Sequence, residues 1–345
     1  MLRPPVGFCR RGGRARRIER QEIMEYPLVT AIVLSYNHAR FVVECLDGVR
    51  AQNYPNLELI VNDDASRDNS AEVIQAWLAK SDIRFRFLKS EVNMGLCRSL
   101  NNAISHAHGR YISGIAADDV WLPGKLLGQV EIMERLPERV GVLYSDALQI
   151  NEGGEMLPER FIDSHRQFET KPSGSIHNIL WEGNFIPAMT TLVRRSCYEK
   201  VGPYDEKLFF EDWDMWLRIS RAFDFAYTEG VSAKYRKVSS SMVRSQWFRI
   251  LDAMCEMCIK HLRAGTLDAQ ARKAAVLQLH RKAMTSFHEG TPAHKRNLMQ
   301  ALIRKPTAKI MARCAFAWSG LGADGFERAR ALCVGKRRSW SDGKA

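Results

Sequence analysis

The chain has 345 residues, of which 46% are hydrophobic and 26% charged, enough for one large α/β domain with an appendage or for two domains. No run approaches the roughly eighteen apolar residues that a membrane-spanning helix needs. The formal net charge of +12 is concentrated at the two ends: residues 1–24 contain seven Arg, and residues 251–345 contain eighteen Lys and Arg against seven Asp and Glu.

The two ends have different characters. Residues 1–24 lack the apolar stretch of a signal peptide, so we predict a disordered basic leader there. From 246 to 335 the apolar residues recur at helical spacing, which predicts a helical basic region, and 336–345 is expected to be a frayed tail. Such charge is typical of a solvated helix face, and it also allows peripheral contact with an anionic membrane surface. We expect no nucleic acid partner.

Eight Cys are scattered along the chain without the density of a disulfide framework. Cys255 and Cys258 form a single C-x-x-C in a helical pattern, beside Met254 and Met257, which favours core packing over metal or redox chemistry. Reduced thiols predict a cytoplasmic protein, in which the basic tail would allow a peripheral position at the inner face of the membrane.

The first half of the chain alternates between strand and helix signals. Apolar runs predict strands at 28–34, 57–61, 85–88 and 111–116, and the segments between them show helical spacing. Continuous apolar strands separated by helices are typical of a parallel sheet covered on both faces. The predicted fold class is therefore α/β: a Rossmann-like, mostly parallel sheet flanked by helices over 25–245, followed by a helical appendage.

The pattern changes after Pro123. Strands are predicted at 140–144 and 189–193, and a helix is predicted directly after Glu211-Asp212. Residues 160–185 are polar and rich in turn residues, so we expect an irregular, mobile loop over a site. Asn184 and Arg194-Arg195 are candidates to face a substrate.

Three pairs of adjacent carboxylates close or follow apolar stretches: Asp63-Asp64, Asp118-Asp119 and Glu211-Asp212. Adjacent like charges disfavour one another, so the repetition of such pairs indicates that they have a function. They could bind a divalent cation, bind a sugar or nucleotide hydroxyl, or remove a proton. Ligands of parallel sheets bind beyond the carboxyl ends of the strands, so the first two pairs should converge with Ser35, Tyr36 and Asn37. Each pair also has a purely structural explanation. Asp63-Asp64 could cap the following helix, Asp118-Asp119 could form a solvated turn, and Glu211-Asp212 could interact with a helix dipole.

The chain has neither a G-x-G-x-x-G after a strand nor a G-x-x-x-x-G-K-[ST], which argues against a dinucleotide dehydrogenase and a P-loop NTPase. A nucleotide would then need its phosphates held in another way. Hard cations such as Mg²⁺ and Mn²⁺ prefer oxygen ligands and bridge phosphates. Asp118-Asp119 is the candidate pair for such a cation.

Several segments together resemble the family 2 glycosyltransferases of the GT-A fold. Residues 27–37 are similar to the opening strand of that family and 58–68 to its D-D-G-S-x-D signature. Residues 93–95 resemble its N-x-G segment and 116–123 its D-x-D-D region, and Glu211-Asp212 matches its E-D pair. Three positions depart from the family pattern. Ala116 replaces the first acid of D-x-D, Ala65 replaces a Gly that would tolerate positive φ, and Val238 replaces the His of Y-R-x-H.

The resemblance implies inverting transfer of one hexosyl or related sugar from a nucleotide-diphosphate-sugar to a saccharide or lipid-linked acceptor, in surface polysaccharide or glycan biosynthesis. It implies a divalent metal, Mn²⁺ or Mg²⁺, at Asp118 and Asp119, with Asp212 beside Glu211 as the catalytic base. The residues it implies for nucleotide-sugar binding are Ser35, Tyr36, Asn37, Asp63, Asp64 and Asp118.

Three other classes stay open on the sequence. The missing acid at Ala116 suggests that the protein could be an inactive relative, which binds nucleotide-sugar without transferring it. The Arg-rich ends motivate a basic nucleic-acid-binding protein, whose affinity would fall steeply with salt. The third is a nucleotidyltransferase on a similar sheet, although the chain lacks the Gly-rich basic loop that usually holds a triphosphate.

Overall fold

The computed structural model describes residues 26–210, 212–239 and 245–341, with side chains as far as residue 331. The predicted leader at 1–24, Glu211 and the last residues of the predicted tail lie outside this part of the chain. Within it, a mixed α/β sheet flanked by helices is followed by a helical C-terminal region, as the sequence predicts. No helix of the described residues is long and apolar enough to cross a membrane.

Eight strands of the described chain form one sheet, in the order β3-β2-β1-β4-β7-β6-β8-β5. β1 pairs in parallel with β2 and β4, and β2 with β3, so the first four strands match the predicted parallel arrangement. β7 runs antiparallel to both of its neighbours, and β5 antiparallel to β8. The strands are β1 (Val29–Ser35), β2 (Leu57–Asp63), β3 (Arg84–Lys89), β4 (Tyr111–Ala116), β5 (Val120–Trp121), β6 (Val140–Asn151), β7 (Leu192–Arg194) and β8 (Asp224–Lys237).

Helices cover both faces of the sheet, as its alternating apolar residues require. Val33 on one face of β1 packs with α1 and α2, whereas Ile32 on the other face packs with Ala103 of α3. The helices of this part are α1 (Val42–Arg50), α2 (Ser70–Leu78), α3 (Leu96–Ser105), α4 (Lys125–Arg135), α5 (Phe161–His165), α6 (His177–Leu180), α7 (Arg195–Val201) and α8 (Asp212–Ile219). The C-terminal helices are α9 (Trp247–Ala264), α10 (Ala269–His288), α11 (His294–Arg304), α12 (Ala308–Trp318) and α13 (Gly322–Ser341).

The segment 160–185 is largely irregular, as its polar composition predicts, but it contains α5 and α6. Five of its apolar side chains are fully buried in one core cluster: Ile162, Ile176, Leu180, Trp181 and Phe185. Sequence reasoning missed this burial because so few apolar residues, spaced between Gly, Pro and charged residues, do not form a long periodic run. Each nevertheless fills a defined place in the core.

The C-terminal helices share that core cluster with helix α8. Trp213 and Trp216 of α8 lie in the same cluster as Cys255 and Cys258 of α9, which are buried thiols in a helix as the sequence predicts. Burial raises the pKa of Cys258 to about 12, so its thiol is neutral at physiological pH. The helical region and the second half of the sheet domain therefore pack around common apolar side chains.

A buried carboxylate joins α8 to α9. Asp214 accepts hydrogen bonds from Lys260 Nζ at 2.9 Å and lies 3.0 Å from His261 Nε2, both on α9. Within α8, Arg218 Nε donates to it at 2.9 Å. Burial alone would raise the pKa of Asp214, but the hydrogen bond with His261 and the charges of Lys260 and Arg218 lower it below its usual range.

We expect Asp214→Asn to lower the free energy of unfolding at neutral pH by about 3 kcal/mol, because it leaves cationic partners of a buried ion pair uncompensated. The pKa of Asp214 is lowered on folding, so its stabilisation is complete above about pH 4 and is lost as pH falls towards the folded-state pKa. Urea unfolding measured from pH 7 downwards should show this acid loss in the wild type and not in the variant. Asp224→Asn, whose partner Arg139 is 77% exposed, is the control and should cost at most about 1 kcal/mol. Equal losses in the two variants would contradict the prediction.

Candidate active site

The carboxyl ends of β1, β2 and β4 meet at one edge of the sheet. Ser35 is in register with Asp63, and Leu34 is in register with both Asn62 and Ala116. Beyond the strands, the Asp64 N–H donates to the carbonyl of Ser35 at 2.9 Å and the Ala117 N–H donates to that of Leu34 at 2.8 Å. The structure therefore brings Ser35 and the first two acidic pairs to one edge.

The carboxylates of Asp63 and Asp64 bind backbone N–H groups of neighbouring loops. Asp63 is fully buried and accepts from the Ser66 N–H at 3.0 Å and from the Ser66 hydroxyl at 2.5 Å. Asp64 accepts from the N–H of Met94 at 2.7 Å and from that of Gly95 at 2.9 Å, at the start of α3. Neither caps α2, whose N-cap residue is Asn69. The pair thus fixes two loops at the edge of the sheet.

The loop after β1 is bonded to the loop after β2. Asn37 adopts a left-handed φ of 59°; its N–H donates to Ser66 Oγ at 2.9 Å, and its Oδ1 accepts from the Arg67 N–H at 2.7 Å. Tyr36 is partly exposed beside it. Ser35 Oγ is buried and has no hydrogen-bond partner among the described residues. Such an orphaned hydroxyl is unusual in a folded protein and is satisfied when a ligand or water reaches it.

A cleft of about 520 Å³ opens where β3 ends, within the size range of small-molecule sites. Met94, whose N–H binds Asp64, forms part of its wall. The cleft is lined by Phe87, Leu88, Lys89, Ser90, Glu91, Val92, Met94 and Asn102. It therefore adjoins the loop that Asp64 holds.

The members of the second acidic pair have different surroundings. Asp119 is buried, and its Oδ1 accepts from the Arg236 N–H at 2.8 Å. Burial, reinforced by the charge of Asp118, raises the pKa of Asp119 well above its usual range. Asp118 is 16% exposed, and its Oδ2 lies 3.8 Å from Nε2 of His38. One carboxylate thus supports the turn, and the other faces the open side of the edge.

Arg236, which follows Tyr235 in the segment that resembles Y-R-x-H, contacts the turn that contains Asp118 and Asp119. Its guanidinium is buried, donates to the Asp118 carbonyl at 2.9 Å and pairs with Glu44 at 2.5 Å. It also lies over the ring of Phe41, 4.9 Å from the ring centroid. Arg236 therefore connects β8 to α1 and holds the backbone of Asp118.

Asp212 is the first residue of α8 and is only partly exposed. Its Oδ1 accepts from the Trp213 N–H at 2.6 Å, and its Oδ2 accepts from Asn184 Nδ2 at 2.8 Å. Asn184 is itself oriented, because its Oδ1 accepts from the Ile186 N–H at 3.2 Å. Burial raises the pKa of Asp212 above its usual value, although both hydrogen bonds oppose the shift. Glu211 lies outside the described residues.

Two contacts connect the region of Asp212 to the other acidic pairs. Trp121, two residues after Asp119, donates its indole N–H to the carbonyl of Met189 at 2.8 Å, in the segment that begins with Asn184. Cys97, two residues after Gly95, contacts the carbonyl of Phe210 at 3.7 Å. The segment before Asp212 is thus packed against the helix whose start binds Asp64, and the segment after Asn184 is packed against the one that follows Asp119.

Sequence reasoning missed His38, named Asn184 without its bond to Asp212, and misjudged Arg194. His38 follows the Ser35-Tyr36-Asn37 segment directly, and its position at the strand end was the available signal. The hydrogen bond from Asn184 to Asp212 has no local signal, since 28 residues separate the two. Arg194 does not face a substrate: its buried guanidinium donates to the Tyr111 hydroxyl and to the carbonyl of Met133.

The family model for glycosyl transferase family 2 matches residues 30–202, half of the chain. The chain therefore belongs to glycosyl transferase family 2.

Curated relatives include an uncharacterized glycosyltransferase of Rickettsia felis, 29% identical over 211 residues, which are 61% of this chain and 34% of the relative. A Rickettsia prowazekii counterpart is 28% identical over 218 residues, 61% of this chain and 64% of the relative. The matches thus span between about one third and two thirds of these proteins. Escherichia coli WfgD, a UDP-Glc:alpha-D-GlcNAc-diphosphoundecaprenol beta-1,3-glucosyltransferase, is 28% identical over 231 residues, 66% of this chain and 84% of WfgD.

Solved structures share the fold at low sequence identity. Residues 1–349 of Staphylococcus aureus TarS, in complex with UDP-GlcNAc, superpose with a TM-score of 0.61 at 16% identity, covering 90% of this chain and 92% of that one. The mannosyltransferase PcManGT of Pyrobaculum calidifontis, in complex with GDP-Man and Mn²⁺, gives 0.55 at 17%, covering 86% and 81%. These neighbours show that the sheet domain has the GT-A fold.

The turn at Ala65 provides a stability test. Ala65 has a φ of 58°, the positive value that the family's glycine signature predicts, and an alanine is strained there. We expect Ala65→Gly to raise the free energy of unfolding by on the order of 1 kcal/mol, measured by urea unfolding. The matched control is Ala76→Gly on the exposed face of α2, which should lower it by about 1 kcal/mol. A loss of stability at both positions would show that residue 65 is not strained.

Proposed function

We propose that this family member is an inverting glycosyltransferase that moves one hexosyl or related sugar from a nucleotide-diphosphate-sugar to the hydroxyl of a saccharide or lipid-linked acceptor. The observation that carries the proposal is the partly buried carboxylate of Asp212, oriented by Asn184 and raised in pKa. The relative WfgD is named for transfer to a diphosphoundecaprenol-linked sugar, which supports a lipid-linked acceptor and a role in surface polysaccharide or glycan biosynthesis. The described cysteines are free thiols, which supports a cytoplasmic site of action.

The nucleotide of the donor would bind at the edge formed by Ser35, Tyr36, Asn37, Asp63 and Asp64. The unpartnered Ser35 hydroxyl is available to a ligand, and the partly exposed Tyr36 offers a ring face. Because Asp63 and Asp64 hold the surrounding loops in place, they would preorganise the pocket as well as border it. The nucleotide-sugar complexes of the TarS and PcManGT structures support this class of donor.

The second acidic pair fits a divalent cation, Mn²⁺ or Mg²⁺. Two carboxylates lie side by side there, and burial together with the charge of Asp118 raises the pKa of Asp119. Asp118 and Asp119 would hold the cation together with phosphate oxygens of the donor. Among the described residues no cluster of three or more His, Cys, Asp or Glu side chains is placed to hold a metal. A bound cation would neutralise charge that develops on the leaving diphosphate.

Asp212 supplies the proton chemistry. Its carboxylate would accept the proton of the acceptor hydroxyl as that oxygen forms a bond to the anomeric carbon and the bond from this carbon to the diphosphate oxygen breaks. A single displacement from the opposite face inverts the anomeric configuration. Asn184 keeps one carboxylate oxygen fixed, and the raised pKa of Asp212 makes it a stronger base than an exposed aspartate.

We expect Asp212→Asn to lower sugar transfer roughly 10³-fold while donor binding is retained, because only the base is lost. A panel of UDP-, GDP- and dTDP-sugars with Mn²⁺ or Mg²⁺, read by thermal shift and by product formation, measures both properties. The wild-type kcat/KM should fall on acidification at a pH above the ordinary aspartate value, since burial raises the pKa of Asp212.

The control is Asp82→Asn, an exposed aspartate between α2 and β3, which should leave transfer unchanged. Transfer within tenfold of wild type by the Asp212→Asn variant would contradict the base assignment. A donor that binds to the wild type without being transferred to any acceptor would favour an inactive relative instead. Binding of no donor would overturn the proposal as a whole.

We expect Asp118→Asn to weaken Mn²⁺-dependent binding of a nucleoside diphosphate at least about tenfold, because a first ligand is removed. Calorimetric titration with UDP or GDP, with and without Mn²⁺, measures this loss. The converse variant, Ala116→Asp, restores the family acid at a partly exposed strand end and should strengthen the same binding. Diphosphate affinity that is indifferent to metal in both the wild type and the Asp118→Asn variant would contradict the metal assignment.

A further inference from the structure

Helix α12 has two apolar faces, and only one of them is packed inside the protein. Ile310, Cys314 and Ala317 are buried in the C-terminal core. Met311 and Trp318, seven residues apart and hence on one face, are each 50% exposed. Ala308 and Ala315 are exposed on the same side and complete a stripe at helical spacing. An exposed apolar stripe of this kind marks an interaction site.

Exposed apolar residues continue beyond both ends of α12. Ile303, in the last turn of α11, is 67% exposed, and Met299 lies one turn before it on the same side of that helix. Leu321, three residues after the end of α12, is 61% exposed. We call these residues the α12 surface: Met299, Ile303, Met311, Ala315, Trp318 and Leu321.

The α12 surface lies in a part of the chain that carries uncompensated positive charge. Lys305 and Lys309 stand between Ile303 and Met311 in the chain, are exposed, and form no ion pair with any residue that the structure describes. From residue 294 to 341 the sequence holds eleven Lys and Arg against two Asp and Glu. The partner of this surface should therefore offer both apolar contact and negative charge.

We propose that the α12 surface lies on an anionic lipid bilayer, with Met311 and Trp318 at the boundary between headgroups and acyl chains and with Lys305 near lipid phosphates. Apolar residues with an interfacial Trp, bordered by Lys, are the composition of helices that lie in the membrane plane. An apolar protein patch would cover the stripe but leave the positive charge unmatched. A polyanion would match the charge but leave the stripe in water. The lipid surface satisfies both, and this contact does not depend on the proposed transfer reaction.

The test is co-sedimentation of the full chain with two kinds of vesicle, pure phosphatidylcholine and an equimolar mixture with phosphatidylglycerol. Wild type should bind the mixed vesicles, should bind the pure ones much more weakly, and should dissociate as salt is raised. Met311→Glu combined with Trp318→Glu should lower the partition coefficient at least about tenfold, because charge enters the apolar contact. Lys305→Glu should lower it as well, and more so at low salt.

The matched control is Met156→Glu, which changes an equally exposed methionine (55%) beside β6 and should leave vesicle binding unchanged. Circular dichroism and thermal unfolding establish that every variant is folded. Failure of the wild type to bind anionic vesicles, or equal binding by the Met311 and Met156 variants, would overturn the proposal. Light scattering tests whether the wild type is a dimer. If it is, and if Met311→Glu dissociates the dimer while the wild type does not bind vesicles, the α12 surface is a contact between copies of the chain. That result would also overturn the proposal.

Discussion

Backbone N–H groups that bind buried or partly buried carboxylates hold the acidic site together. Asp63, Asp64, Asp119 and Asp212 each accept at least one such hydrogen bond, from the loop after β2, the start of α3, β8 and α8, respectively. A buried carboxylate without donors would be costly, whereas charge-assisted bonds to main-chain N–H groups stabilise it and fix the donor segment at the same time. Each carboxylate thus positions a piece of backbone, and these pieces form the walls of the site. The acidic edge is therefore as much a structural framework as a chemical surface.

This framework explains why the acidic pairs are unequal. Adjacent residues in a turn point in different directions, so one member can be buried against N–H donors while the other remains open. Asp119 and Asp118 divide in this way, and only Asp118 retains an oxygen that faces away from the turn and towards His38. Asp63 and Asp64 are both engaged internally, so in the proposed donor complex they would define the pocket. The proposed chemistry depends on the partly exposed carboxylates of Asp118 and Asp212, and Ala116 would leave more of the proposed cation binding to Asp118.

The first four strands and their convergence could be predicted because long apolar runs mark buried parallel strands, and because parallel strands end at one edge. The left-handed turn at Ala65 followed from a motif in which glycine is usual. The antiparallel pairing of β7, helices α5 and α6, and the hydrogen bond between Asn184 and Asp212 could not be predicted in the same way. They depend on contacts between segments far apart in the chain, and their local sequences are short, polar and without a clear period. The bond between Arg236 and Asp119, residues 117 apart in the sequence, is the extreme case.

The C-terminal helices pack against α8, the helix that carries Asp212. Helix α8 begins with this residue, buries Trp213 and Trp216 in a core cluster shared with α9 to α12, and is linked to α9 through Asp214. Close-packed interiors transmit displacement, so a displacement of α12 would be passed to α8 through the side chains of the core cluster that both helices share. A bilayer contact at the α12 surface would then fix the orientation of the base relative to the membrane plane. For an acceptor whose sugar is attached to a lipid, that orientation would decide whether its hydroxyl can reach Asp212, and the helical region would then contribute to acceptor choice.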